Sequence, residues 1–179
     1  LKRPSGIDES NIFVITSSGF TKDFNPKTSI QSDLAALRQM PNIINAVSTY
    51  SFPFSGSSDW DELQTVAGSD QNTVPAASYK LDEHFIDALG VSLIAGENFS
   101  PSEVLWQTES NSTFPSVVLI TTSLAANLFS TVDWSSVVGR TLYINATHSA
   151  VVKGIVKQLQ APWSPAGLIE NSVIYPRVI

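Results

Sequence analysis

Apolar residues in this 179-residue chain come in short runs, and their spacing alternates between the period of a strand and that of a helix. NIFVITS at 11–17 is rich in β-branched residues and predicts a buried strand. Ile30, Leu34, Leu37 and Met40 recur at helical spacing, so a helix is expected from a Thr28 or Ser29 cap to Met40. Thr28 and Gln31 have capping-box spacing, and Pro41 stops the helix. NAVSTYSF at 45–52 predicts a second strand, which completes a βαβ-like unit. The composition then breaks at Pro53–Asp59, the expected boundary between two subdomains.

Beyond the break, strands are expected at Trp60–Ala67 and Pro75–Lys80. Tyr79–Glu103 reads as one compact packing unit. Asp82 caps a short helix with Phe85, Ile86 and Leu89 on its apolar face, and Gly90 supplies the left-handed residue that ends it. Val91, Leu93 and Ile94 form a brief buried strand, and Gly96 with Asn98 turns the chain. Pro101–Pro115 is a polar connection with Trp106 in its middle. SVVLIT at 116–121 is a strand buried on both faces. Thr122 caps a helix to Phe129, with Leu124, Leu128 and Phe129 inward, and one more turn at 133–138 ends at Gly139. Arg140–Asn145 and Ser149–Lys157 form a hairpin around Ala146–His148, with Gly154 marking a bulge or a close approach. Leu159–Glu170 is a loop carrying Trp163, and Ser172–Pro176 is the last strand. The fold class is α/β (α+β), with short helices among eight or nine strands.

Composition narrows the function. The apolar fraction of 42% supports a real core. A net charge of −6, with no Lys/Arg cluster beyond Lys2–Arg3, argues against nucleic-acid binding. The absence of cysteine excludes disulfides, a thiolate metal site and a Cys nucleophile. No run of about 18 apolar residues is present to span a bilayer.

The residues that could carry chemistry are few. His84 sits among Asp82, Glu83 and Asp87, which reads as the solvated face of a short helix rather than a metal site, since metals need three or four convergent ligands. His148 falls in a hairpin turn. There is no nucleophile elbow, P-loop, dinucleotide fingerprint or EF-hand spacing. Asp59, Asp61 and Glu62 around Trp60 read as a surface cluster at a loop edge. The sequons at Asn98, Asn111 and Asn145 read as chance. No catalytic, cofactor or metal residue is assigned. Candidate partner contacts are polar-loop residues: Ser57, Trp60, Trp106 and Trp163.

The stretch Y-x-x-D-x-x-F-x-x-x-L-G-V-x-L-x-A-G-x-x-F, from Tyr79 to Phe99, carries a resemblance. Four further pieces accompany it in order: Arg3-Pro4-x-Gly6-Ile7-Asp8; Leu37-x-x-Met40-Pro41-Asn42-Ile43 with Ala46-Val47-Ser48; Val118–Phe129; and Val138-Gly139-Arg140 with Val151–Val156. Together they resemble the extracytoplasmic core domain of MacB-type ABC transporter permeases, the MacB/FtsX/LolC group. Asn42 and Glu97 stand where that group usually has Gly and Arg, and Thr121-Thr122 replaces Asn-Glu.

The resemblance implies a porter-like βαβ subdomain, at 1–54 plus 170–179, with an inserted mixed α/β sabre-like subdomain at 55–169. It implies a periplasmic or extracytoplasmic domain of an inner-membrane protein, held by flanking helices outside this sequence. The family continues past the last strand with a further strand–helix–strand. It also implies a second permease copy, a cytoplasmic ATPase and a periplasmic adaptor or cargo as partners. ATP would be used by the cytoplasmic partner, with no cofactor in this domain. Its role would be mechanotransmission or export, not catalysis. Two other classes make different demands. A free-standing extracytoplasmic ligand-binding module requires one deep pocket with convergent polar groups. A hydrolase requires a buried carboxylate or His with a shifted pKa in a cleft.

Overall fold

The computed structural model describes residues 4–19, 24–57, 59–68, 71–107, 113–163 and 168–178. Ser58 and the Asn111 sequon lie outside the described residues. Eight strands are described: β1 (Asp59–Gln64), β2 (Val74–Leu81), β3 (Leu93–Gly96), β4 (Leu105–Trp106), β5 (Val117–Thr121), β6 (Thr141–Ile144), β7 (His148–Val156) and β8 (Ser172–Val178). The helices are α1 (Pro26–Arg38), α2 (Phe85–Leu89) and α3 (Thr122–Phe129), with single 3-10 turns at Pro101–Glu103 and Trp134–Ser136.

The strand pairings close on themselves. β2 pairs β1, β1 pairs β6 and β6 pairs β7, all antiparallel. β7 pairs β5 in parallel, β5 pairs β8 antiparallel, and β8 returns to β2 in parallel. The result is a six-stranded ring with β3 added beside β7 and β4 beside β8. Each ring strand pairs with a neighbour on both sides over part of its length, and the β1–β6 and β5–β8 seams are two residue pairs each. This mixed α+β, sheet-dominated architecture is coarser than the expected division into two subdomains.

Alternation along the strands sorts apolar side chains into two clusters. Leu63, Val118, Ile120, Leu142, Ile144, Val152 and Val173 form one, closed by Leu124 and Ala125 of α3. Leu119, Ile174, Tyr79, Leu81 and Val156 point to the other, covered by Phe85 and Leu89 of α2 with Phe99 and Leu159. Phe85 is fully buried and its ring lies 6.0 Å from that of Phe99.

Most local signals fold as expected. Gly90, at φ 67°, ends α2. The cap of α2 is His84 rather than the expected Asp82, because Asp82 Oδ1 is taken by the His84 N–H (3.0 Å) ahead of the first turn. Thr121, not Thr122, caps α3, accepting from Leu124 N–H, while the Thr122 hydroxyl donates to the Lys157 carbonyl. α1 starts two residues before the expected Thr28 cap. Asn25 is its cap, accepting from the Thr28 N–H at 3.1 Å, and Pro26 takes the first-turn position where its missing N–H costs nothing. Ile94 is 45% exposed rather than buried, because the two-residue period of β3 turns it away from β7's buried side.

The expected strands at 11–17 and 45–52 do not form. Phe13, Val14 and Ile15 are exposed, Phe13 by 87%. The β-branched pattern is right for a strand, but a strand also needs a hydrogen-bonded partner, and neither segment joins the sheet among the described residues. Of the predicted βαβ unit, only the helix is present.

The β6–β7 turn places Asn145 (φ 48°) and Ala146 (φ 67°) both in the left-handed region. This is the primed hairpin geometry that favours Asn-Gly, so Ala146 carries a steric cost that glycine would not. Ala146→Gly is expected to stabilise the domain by about 0.5–1 kcal/mol. The check is an increase in urea midpoint with the slope unchanged.

Candidate interaction surface

The loop at 52–57 is built on Pro53. Ser55 N–H donates to the Phe52 carbonyl (3.0 Å), closing a four-residue turn with Pro53 second and Phe54 third. Phe54 has φ 70°, where such a turn favours glycine, yet its ring is 61% exposed. Gly56 N–H donates to the Pro162 carbonyl (3.3 Å), which brings this loop beside the 159–163 loop. That second loop is fixed to the barrel by the Tyr79 hydroxyl, which donates to the Gln160 carbonyl. Burial pushes the Tyr79 phenol up, so it stays a neutral donor.

The four predicted contact residues are therefore distributed. Ser57 is exposed at the end of the Phe54 turn, and Trp163, 59% exposed, belongs to the loop beside it. Trp60 is half-buried on β1 opposite Ala77. Trp106 stands elsewhere: it is half-buried in β4, paired with Val178, with the Lys27 ammonium 5.6 Å from its ring centre. Sequence reasoning missed Phe54. The available signal was Pro-Phe-Ser-Gly, in which glycine at 56, rather than Phe54, looks like the left-handed residue.

The carboxylates around Trp60 are not a uniform solvated cluster. Asp59 pairs with Lys80 at 2.8 Å. Asp61 accepts from the Ser78 hydroxyl, from Tyr175 Oη (2.9 Å) and from Asn145 Nδ2 (3.0 Å). Burial first, and the Asp61 charge second, push the Tyr175 phenol well up, so it remains a donor. Asp59 and Asp61 are thus both committed to structural partners.

His84 meets Asn45 Nδ2 at Nδ1 (3.1 Å) and Glu83 at Nε2 (3.3 Å). Among the described residues there is no group of three His, Cys, Asp or Glu placed to hold a metal ion. His148 stacks on Phe114 with ring centres 4.0 Å apart. Asp82 is 5% exposed and its carboxyl is raised, chiefly by burial, against the lowering effects of the His84 N–H and of Arg38 at 2.8 Å. It lines neither of two surface concavities. One of these is bounded by Ser48, Thr49, Tyr50 and Lys80. The other is an open groove along Glu97, Glu103, Gly139, Val151 and Lys153. Neither brings an acid, a base and a nucleophile together.

In that groove Glu103 bonds Lys153 Nζ at 2.6 Å and the Ser100 N–H at 2.6 Å. Burial raises its carboxyl, but these donors outweigh burial and hold it below the usual 4.5. A lowered folded value means that Glu103 stabilises the domain above the unfolded value, and that this is lost as pH falls through the folded one. Glu103→Gln is therefore expected to flatten the acid side of the stability profile below the usual glutamate range. Urea midpoints of both proteins across that range check it.

No helix among the described residues is long and apolar enough to cross a membrane. Comparison with curated protein sequences gives no match. Two solved structures share the fold. The extracellular domain of the noncanonic ABC-type transporter YknZ from Gram-positive bacteria superposes with a TM-score of 0.50 at 14% identity, over 82% of this chain and 62% of that one. The periplasmic region of MacB from Actinobacillus actinomycetemcomitans gives 0.50 at 21% identity, over 82% of this chain and 54% of that one. The chain thus spans little more than half the length of these two structures. The profile of the MacB-like periplasmic core domain matches residues 2–177, and the chain belongs to that family.

Proposed function

We propose that this domain is the extracytoplasmic part of an ABC transporter permease subunit, passing ATP-driven motion to a periplasmic partner or substrate in export or mechanotransmission. The observation that carries the reading is the family match across residues 2–177. The closed ring suits it, because strands paired around a ring are held together as one body. In this reading the domain acts with a second permease copy, a cytoplasmic ATPase and a periplasmic adaptor or cargo. The porter-like and sabre-like division belongs to the same proposal. Phe13, Ile15 and Ile44, exposed by 87%, 69% and 85%, would then be covered by the longer protein's remaining porter-like strands. The gene tests the reading. About 20 apolar residues encoded before Leu1, with three such runs after Ile179, uphold it. A cleavable signal peptide followed by this domain and a stop codon overturns it in favour of a free-standing binding module.

Ser57, Trp60, Trp106 and Trp163, with Phe54 added, are the proposed partner contacts. Phe54→Gly removes an exposed ring and relaxes a left-handed backbone position. It and Trp163→Ala are expected to leave the Tm within roughly 4 °C of the parent while lowering transport activity of the intact protein. Trp106→Ala is expected to cost stability as well, since Trp106 sits in a strand pair.

A further inference from the structure

The open groove beside Glu103 has an apolar floor. Val117 and Val151 are register partners on β5 and β7, so their side chains share one face of the sheet. Farther along β5 the same face carries Leu119, which is buried in the α2-side cluster. Val117 packs at the edge of that cluster, and Val151 beside it is 38% exposed. Val138 also lines the trough, which has a volume of about 540 Å³. A Cβ built at Gly139, on its wall, would meet nothing within 4 Å. One exposed valine on a sheet needs no explanation, but three lining a single concavity do.

The charges around this floor are unbalanced. Lys153 Nζ lies 2.6 Å from Glu103, which also accepts from the Ser100 N–H and hydroxyl. That pair neutralises itself. Glu97 is the other charged residue lining the groove, and it is exposed. The ion pairs among the described residues do not include it. Its backbone is fixed, because the Glu97 N–H donates to the Lys153 carbonyl at 3.1 Å. The groove therefore sets one uncompensated negative charge beside an apolar floor.

We infer that this groove binds an extended basic segment of a partner protein, with an apolar side chain on the valine floor and a Lys or Arg head at Glu97. The trough runs from β5 across β7 to the end of β3. Two strand spacings are about 10 Å, the length of about three extended residues. Side chains two apart in such a segment face the same way, so the recognised pattern is apolar, any residue, basic. Small ligands are mostly enclosed by their sites, whereas an open trough suits a chain that continues at both ends. An acidic segment is rejected by Glu97 and finds no available cation, because Glu103 holds Lys153. That the segment belongs to a periplasmic partner rests on the permease reading, but the binding does not. Binding together with a failed gene test keeps the groove and changes only whose segment fills it.

The probe is an end-blocked, fluorophore-labelled hexapeptide that alternates valine and lysine. It is titrated with the 179-residue chain at about 0.15 M salt and followed by anisotropy. Saturable one-site binding is expected, and none for the same peptide with glutamate in place of lysine. Glu97→Gln is expected to weaken binding roughly threefold. Val151→Thr keeps the branched shape that suits the strand and is expected to weaken it by roughly the same factor. Asp33→Asn removes the same charge from an exposed position on α1 and should leave affinity unchanged. Should Val151→Thr fail to fold, Glu97→Gln against Asp33→Asn carries the test. Absence of saturable binding overturns the proposal, as does parent affinity in a folded Val151→Thr. An equal loss in Asp33→Asn and Glu97→Gln also overturns it, because binding would then be diffuse attraction to an acidic chain.

Discussion

Gly96→Ala is expected to destabilise the domain by about 2–5 kcal/mol, combining a left-handed backbone penalty with overpacking. Gly96 has φ 73° at the end of β3, where an L side chain is already strained. An added Cβ would also fall inside the contact radius of the Lys153 carbonyl oxygen and reach 2.7 Å from Gly154 Cα. Both obstacles are backbone of β7, the strand that β3 pairs with, so neither can rotate away. Relief requires β3 to lift from β7. Gly139 is the control: its φ is 84°, but an added Cβ there meets nothing within 4 Å. Gly139→Ala should therefore cost only the backbone part, roughly 1–2 kcal/mol. Urea unfolding of the two variants separates the effects. Equal losses would mean that β3 yields without cost, and the close approach to β7 would not matter to the fold.

The same pair of strands shows which information is legible in the sequence. Tyr79–Glu103 is readable nearly residue by residue, because its signals are local: Asp82 before a short apolar face, Gly90 after it, then Gly96 at a turn. Gly154 is readable as a close approach for the same reason, and an added Cβ there would lie 2.8 Å from the Glu97 carbonyl oxygen. What fails depends on pairing between distant segments. NIFVITS has strand composition, but composition does not say whether a partner edge exists. Ring closure is unreadable, because the β2–β8 pairing joins segments nearly a hundred residues apart and no single strand signals it. The candidate site divides in the same way. Aromatic residues in loops are visible at Trp163, whereas the committed role of Asp61 depends on Tyr175, 114 positions away. Asp82 looks like a cap, but His84 takes that position; Asp82 accepts from the His84 N–H with one oxygen and from Arg38, 44 positions earlier, with the other.

Phe85→Ala is expected to cost about 3–5 kcal/mol, the usual range for removing a fully buried aromatic ring. The ring is 0% exposed and contributes to the cluster formed with Leu81, Leu89, Phe99 and Ile174. α2 is only five residues long, too short to persist without its packed face. Its loss would uncover the cluster that includes Tyr79 and Leu81 of β2 and Ile174 of β8, and free the turn that carries Asp82. Phe85→Leu keeps most of the apolar area and should lose much less, about 1–2 kcal/mol. Denaturant midpoints measure both. In the intact protein the two variants bear on the proposed role, because Asp82 at that turn binds Arg38 of α1. If stiffness at that turn transmits motion, transport should fall more steeply than folded protein abundance as side-chain volume at position 85 is reduced. If activity instead tracks abundance alone, α2 serves only to stabilise the barrel, and the transmitted motion runs elsewhere in the domain.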